Sequence, residues 1–205
     1  MTEKTNNELE RNISFTPIDQ KLYDSRVVFL SGVVNDELAY RVNRELLSLE
    51  EKDQKAPILL WVNSPGGEVD SGFSIYDTIQ FIKPEVVTIV SGMAASMASV
   101  IALAAEKHNR LAFPNAHILI HQPLIGGTIQ GPASDIKIHA KRIMELKNKI
   151  HKLYADRTGT PIQDFEEMMD RDYSLSADEA LKLGLISNVI SSREEIDKWI
   201  RPKSA

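Results

Sequence analysis

The sequence contains no cysteine. That absence excludes disulfide bonds, thiol nucleophiles and zinc sites built from thiolates. Lysine and arginine form no basic run, and the net charge is −5 with a pI of about 5.6. Nucleic-acid binding proteins usually carry a basic patch or stripe, so the sequence predicts no nucleic-acid partner.

The first twelve residues also contain no hydrophobic run. Residues 1–12 are polar and charged, which predicts no signal peptide and therefore a cytoplasmic location. The stretch from Val86 to Ala105 is uncharged and approaches the length of a membrane span. However, its first half is rich in β-branched residues, its second half in alanine, and Gly92 interrupts it. We therefore expect a buried strand, turn and helix and no membrane span.

The residues that are present predict one α/β domain. Hydrophobic residues make up 42% of the chain and charged residues 26%, as in ordinary globular proteins. Short apolar runs alternate with segments of helical periodicity, and this alternation predicts a mostly parallel sheet with crossover helices. The predicted strands begin near Arg26, Ile58, Val86, Ala116 and Leu185, the last running to Ile190, and the intervening helices cover about 35–51, 71–83 and 98–105.

The alternation of strands and helices does not extend over the whole chain, and its limits divide the chain into an arm, a domain and a tail. Residues 1–25 lack clear periodicity and are predicted to form an N-terminal arm, residues 26–190 the domain, and residues 191–205 a C-terminal tail. Within the domain, a helix over about 133–157 is long enough to project from a small core. Its apolar stripe, which includes Ile136, Ile143 and Ile150, predicts packing against another subunit, and a helix lying on its own core is the alternative.

The segment around Ser96 is the leading candidate for chemistry. It follows an apolar strand and a predicted sharp turn at Gly92, and it precedes a helix. A serine at a helix start lies beside free backbone N–H groups, which favour a nucleophile whose reaction develops an oxyanion. The alternative is a turn of small residues that only packs.

The other candidate catalytic residues are sought near the ends of the predicted parallel strands. His121 follows the strand that starts near Ala116, so its ring should lie near Ser96, where it is either a base or a structural histidine. A carboxylate is needed to orient that histidine, and spacing alone does not separate Asp170 from Asp172. The backbone N–H groups of Gly67 and Met97 are sensible oxyanion donors. Three further histidines lie among charged residues and are predicted to be solvated: His108, His139 and His151.

Four motifs in order strongly resemble the Clp protease proteolytic subunit family (ClpP). They are NSPGG at 63–67, GMAASM at 92–97, HQP at 121–123 and DRD at 170–172. Two longer stretches are also similar to that family, YDTIQFIKP at 76–84 and SADEALKLGLI at 176–186. The similarity extends over about residues 26–190.

The resemblance implies a crotonase-like fold of repeated β-β-α units with a projecting long helix. It implies a serine endopeptidase with Ser96 as nucleophile, His121 as base and Asp172 as the orienting carboxylate. The implied oxyanion donors are Gly67 and Met97, and no metal or cofactor is implied. The resemblance also implies that two extended segments, Glu68–Val69 and Leu124–Ile125, flank a bound peptide. It implies that Asp170 and Arg171 contribute to ring–ring contacts.

In assembly, the resemblance implies stacked heptameric rings, either homomeric or mixed with a paralogue, fed with unfolded polypeptide by an AAA+ unfoldase. The alternative function is a weakly active or regulatory ring subunit. An acyl-CoA enzyme of the same fold would leave the serine, histidine and aspartate motifs without a role. Where the family usually has an aromatic residue this chain has Ser174, which implies a weakly anchored Asp172 loop; the alternative is that neighbouring side chains fill the gap.

Overall fold

A computed structural model describes residues 16–124 and 131–200 of the chain, without the side chains of 198–200. The strands are β1 Val27–Ser31, β2 Ile58–Ser64, β3 Val86–Ala95, β4 Arg110–Ala112, β5 His117–Ile120, β6 Tyr173–Ser176 and β7 Asn188–Val189. The α-helices are α1 Pro17–Asp24, α2 Asp36–Lys52, α3 Val69–Phe81, α4 Met97–Ala102, α5 Ala133–Thr158, α6 Ile162–Met168, α7 Ala177–Lys182 and α8 Arg193–Ile200. A short 3₁₀ helix covers Lys107–Asn109.

These strands form one mixed sheet of seven. Strands β1, β2, β3, β4 and β7 lie side by side in that order, and every pairing among them is parallel. The second half of β3 pairs in parallel with β5, and β6 adds to β5 in antiparallel orientation. The predicted mixed α/β class with a parallel sheet and a long helix is confirmed, and it is consistent with the crotonase-like fold.

Side-chain alternation along β2 places a core on each face of the sheet. Leu60 and Val62 are fully buried in the larger core, which also receives α2, α3, α4 and the C-terminal part of α5. Leu59 points to the opposite face and joins a smaller core with Ile196 of α8. Successive residues of a strand point to opposite faces, so a run of apolar residues such as β2 marks a strand covered on both sides.

Both ends of the described chain are more ordered than predicted. Residues 17–24, assigned to the arm, form α1, because Thr16 and Asp19 make a reciprocal capping box and Pro17 fits the first helical turn. At the other end α8 buries Ile196, so the beginning of the predicted tail packs on the sheet. Residues 1–15 and 201–205 lie outside the described residues.

Several local predictions were wrong. The sharp turn is not at Gly92, because β3 continues to Ala95 and Gly92 makes room for the side chain of Asn63. The exposed stripe on the long helix is shorter than expected, because Ile150 is buried and Ile143 is half-buried. His151, which was predicted to be solvated, is also buried in this helix. Of the predicted closing strand over Leu185–Ile190, only Asn188–Val189 is paired as a strand.

Within residues 16–124 and 131–200, no helix is both long and apolar enough to cross a membrane.

Candidate active site

Ser96 occupies the single residue between β3 and α4. Its backbone has φ 54 and ψ −125, which is unusual for a residue with a side chain. The neighbouring strand and the helix hold it there: its N–H donates to the Leu119 carbonyl at 2.9 Å, and its carbonyl accepts from the Ser99 N–H at 3.0 Å. The sharp turn therefore falls on the candidate nucleophile itself.

His121 lies directly after β5, which pairs with the end of β3. Because the carboxyl ends of these parallel strands are neighbours, the imidazole reaches Ser96, and Nε2 is 2.8 Å from Oγ. The His121 side chain is only 14% exposed. A partly buried imidazole at this distance has the geometry of a general base for the hydroxyl.

The Asp172 carboxylate lies near Nδ1, the other nitrogen of the His121 ring, but the contact is longer than that between His121 and Ser96. Its Oδ1 is 3.4 Å from His121 Nδ1, but Nδ1 makes no hydrogen bond that meets geometric criteria with any described residue. The Asp172 side chain is 74% exposed. The contact is therefore an ion-pair approach rather than a formed hydrogen bond.

Asp170, the other candidate carboxylate, lies away from the imidazole. Its carboxylate is 3.8 Å from the Arg171 guanidinium, and both side chains are exposed. Its backbone carbonyl accepts a 2.8 Å hydrogen bond from Gln122 Nε2. The loop before β6 is thus tied to the residue that follows His121. We infer that this loop is anchored through its backbone.

The glycine turn after β2 faces Ser96. A Cβ added to Gly66 would lie 2.7 Å from Ser96 Cβ and 2.8 Å from the Met97 nitrogen. Gly67 pairs with Val34 across an isolated bridge. In the described part of the chain, the N–H groups of Gly67 and Met97 have no hydrogen-bond acceptor. Two free donors beside a hydroxyl are the components of an oxyanion hole.

A cleft of about 510 Å³ opens at this site and is lined by Ser96, His121, Asp172, Gly67 and Met97. Its lining is mostly apolar, and it includes Val100 of α4 and Ile150 and Tyr154 of α5. Leu124 and Val69 lie on its rim. Glu68 is extended, but Val69 is the first residue of α3, so the extended segment there is shorter than expected. Ile125 lies outside the described residues.

Sequence reasoning missed two residues at this site, Ser99 and Tyr154. Tyr154 is 1% exposed and its hydroxyl lies 2.5 Å from Ser99 Oγ. Burial raises the pKa of the Tyr154 hydroxyl well above its usual range. Residues 99 and 154 are 55 positions apart in the chain, and a contact over such a distance carries no local sequence signal. Among the described residues, no three histidine, aspartate or glutamate side chains form a set that could hold a metal ion.

A family model described as Clp protease matches residues 10–193. The matched range covers most of the chain and includes every residue of the cleft described above.

Proposed function

The chain belongs to the Clp protease family, and we propose that it is a serine endopeptidase that hydrolyses unfolded polypeptides to short peptides. The observation that carries this proposal is the 2.8 Å contact between His121 Nε2 and Ser96 Oγ, at the wall of an open cleft. A serine activated by an adjacent base is the arrangement used for covalent acyl transfer.

In this mechanism Ser96 Oγ attacks the scissile carbonyl while His121 accepts the hydroxyl proton. Asp172 stabilises the imidazolium and orients the ring through Nδ1. The oxyanion receives hydrogen bonds from the N–H groups of Gly67 and Met97. His121 then protonates the leaving amine, and a water molecule activated by the same base hydrolyses the acyl-enzyme. None of these steps requires a metal or a cofactor.

The substrate is a polypeptide in extended conformation. The segments Glu68–Val69 and Leu124–Ile125 would flank it by pairing with its backbone, which is a sequence-independent mode of recognition. The apolar surface contributed by Val100, Ile150 and Tyr154 accommodates an apolar side chain next to the scissile bond. We therefore expect cleavage after apolar residues and little dependence on the rest of the sequence.

The proposed assembly is a pair of stacked heptameric rings, homomeric or mixed with a paralogue, in the cytoplasm. Ile136, Ile138 and Met144 on α5 are 43%, 52% and 55% exposed. Apolar surface of this kind on a projecting helix supports a contact with another subunit. Asp170 and Arg171 would contribute to the ring–ring contact, and an AAA+ unfoldase would deliver the substrate.

A second candidate is a weakly active or regulatory subunit of a mixed ring. The observation that favours it is the exposed Asp172 carboxylate, 3.4 Å from His121 without hydrogen-bond geometry. A triad is sensitive to misplacement of about 1 Å, so a loose aspartate lowers the intrinsic rate. The two candidates share Ser96 and His121 and differ in the rate of the isolated protein.

Replacing the nucleophile tests the proposed function. We expect Ser96→Ala to lower hydrolysis of a fluorogenic peptide by several orders of magnitude and to abolish labelling by a fluorophosphonate probe, because both need the attacking hydroxyl. Ser91→Ala, on the same strand but outside the cleft, is the matched control and should keep both activities. Labelling that persists in Ser96→Ala would show that another residue is the nucleophile.

A further inference from the structure

The buried contact between Tyr154 and Ser99 joins the long helix to the helix that follows Ser96. Tyr154 Oη and Ser99 Oγ are 2.5 Å apart and both residues are buried. Ser99 is the hydrogen-bond partner of the tyrosine hydroxyl in the described structure. A buried hydroxyl without a partner is costly, so the tyrosine hydrogen is directed at Ser99.

Ser99 in turn bonds the backbone of the nucleophile. Its Oγ lies 2.6 Å from the Ser96 carbonyl oxygen, and the Leu119 carbonyl is a weaker alternative at 3.4 Å. A serine hydroxyl has one hydrogen to donate and two lone pairs to accept with. When Tyr154 donates to Ser99, the single hydrogen of Ser99 is free to bond the Ser96 carbonyl. The order of donation is therefore Tyr154 to Ser99 to Ser96.

Fixing the Ser96 carbonyl also fixes an oxyanion donor. The carbonyl of Ser96 and the N–H of Met97 belong to one planar trans peptide group, so they point in opposite directions and rotate together. Because Ser96 has a strained backbone conformation, this plane needs support from its surroundings. A hydrogen bond that holds the carbonyl inward holds the Met97 N–H toward the cleft.

We propose that Tyr154 is a positioning residue for catalysis: acting through Ser99, it holds the Ser96–Met97 peptide so that the Met97 N–H meets the oxyanion. This inference rests on the proposed peptidase function. Through Tyr154, the position of α5 would also affect catalysis, because a shift of this helix moves the tyrosine hydroxyl away from Ser99.

Tyr154→Phe tests the proposal because it removes only the hydroxyl and keeps the ring on the cleft floor. We expect kcat for a fluorogenic peptide to fall roughly tenfold with KM changed less than about twofold, since the lost interaction acts on the transition state. The rate of fluorophosphonate labelling should fall in parallel. Tyr76→Phe, a half-buried tyrosine on α3 outside the cleft, is the matched control and should keep wild-type values.

Ser99→Ala supplies an independent variant and a double-mutant comparison. It removes the side-chain hydroxyl that donates to the Ser96 carbonyl and leaves the backbone donor, the Ser99 N–H, in place. It should therefore lower kcat at least as much as Tyr154→Phe. Adding Tyr154→Phe to Ser99→Ala should change kcat no further, because both act through the same hydrogen bond. If sedimentation shows that Tyr154→Phe does not assemble, the kcat of Ser99→Ala relative to the wild type tests the inference instead.

Several outcomes would overturn the inference. A wild-type kcat in a correctly assembled Tyr154→Phe or Ser99→Ala variant would refute it, as would effects that multiply in the double variant. A rise in KM at constant kcat would assign Tyr154 to substrate binding alone. If the wild-type protein neither hydrolyses peptide nor labels at Ser96, the proposed function fails, and this inference fails with it.

Discussion

The backbone of Gly66 lies closer to Ser96 than that of a residue with a side chain could. Its φ is +85, and a Cβ at this position would lie 2.4 Å from the Ala95 carbonyl oxygen as well as against Ser96. Backbone atoms cannot give way as the end of a flexible side chain can. The glycine turn is therefore required both by its conformation and by its packing against the Ser96 turn.

We expect Gly66→Ala to slow fluorophosphonate labelling roughly a hundredfold, the effect of displacing reacting groups by about 1 Å. Gly159→Ala is the matched control. Gly159 also has a positive φ, +87, but a Cβ there would meet nothing within 4 Å. The control should lose about 1–2 kcal/mol of stability from its backbone conformation and keep its labelling rate. Equal labelling of both variants would show that the close approach at Gly66 is unimportant.

Helix α5 has two different halves. Ile136, Ile138 and Met144 in the first half are exposed, whereas the second half buries Ile150 and Tyr154 against the core. His151 is fully buried in this second half, and neither ring nitrogen has a hydrogen-bond partner in the described structure. Burial, reinforced by the Lys147 charge and opposed by Glu166, lowers the pKa of His151 below its usual 6.5.

This histidine makes the stability of the protein depend on pH. Below about pH 6.5 the unfolded chain binds a proton at His151 that the folded chain does not bind. The free energy of unfolding should therefore fall as the pH drops below 6.5. We expect the loss in Tm between pH 7.5 and pH 5.5 to be smaller in His151→Asn than in the wild type.

His139→Asn, an exposed histidine on the same helix, is the control and should keep the wild-type pH dependence. The interpretation would be wrong if His151→Asn lost as much Tm as the wild type over this pH range.

At the scale of the whole molecule, the exposed apolar side chains of α5 and the exposed Asp172 have a common explanation in assembly. Burying a side chain such as Ile138 in a subunit contact contributes about 1.5–3 kcal/mol. In the proposed assembly, a neighbouring subunit that also covered Asp172 would lower the dielectric around its carboxylate and favour a hydrogen bond to His121. Assembly should therefore raise the activity of each subunit.

Ile138→Glu tests this coupling. We expect it to shift the protein to smaller species in sedimentation velocity and to lower peptide hydrolysis per subunit, because a charge in an apolar contact is costly. Asn148→Glu makes the same change of charge at another exposed position of the helix and is the control. A variant at Ile138 that sediments like the wild type would remove the evidence for a contact through this face.

The sequence by itself determined most of the elements and their order, although not β4, β6, α1 or α8. Apolar runs such as Ile58–Val62 predict strands, and their alternation with helical stripes predicts the parallel sheet that β1 to β4 form. It also predicted that Ser96 and His121 would be neighbours, because both follow strands whose carboxyl ends meet. These features depend on local periodicity and on simple rules of chain connection.

Only the tertiary structure decided which faces of these elements are covered. The burial of Ile150 and His151 depends on where α5 meets the core, and its apolar stripe is equally compatible with exposure to a second subunit. The Tyr154–Ser99 bond joins residues 55 positions apart. The exposure of Asp172 depends on how the loop before β6 is tied to Gln122. Contacts of this kind follow from side-chain packing in three dimensions, for which hydrophobic periodicity along the chain carries no information.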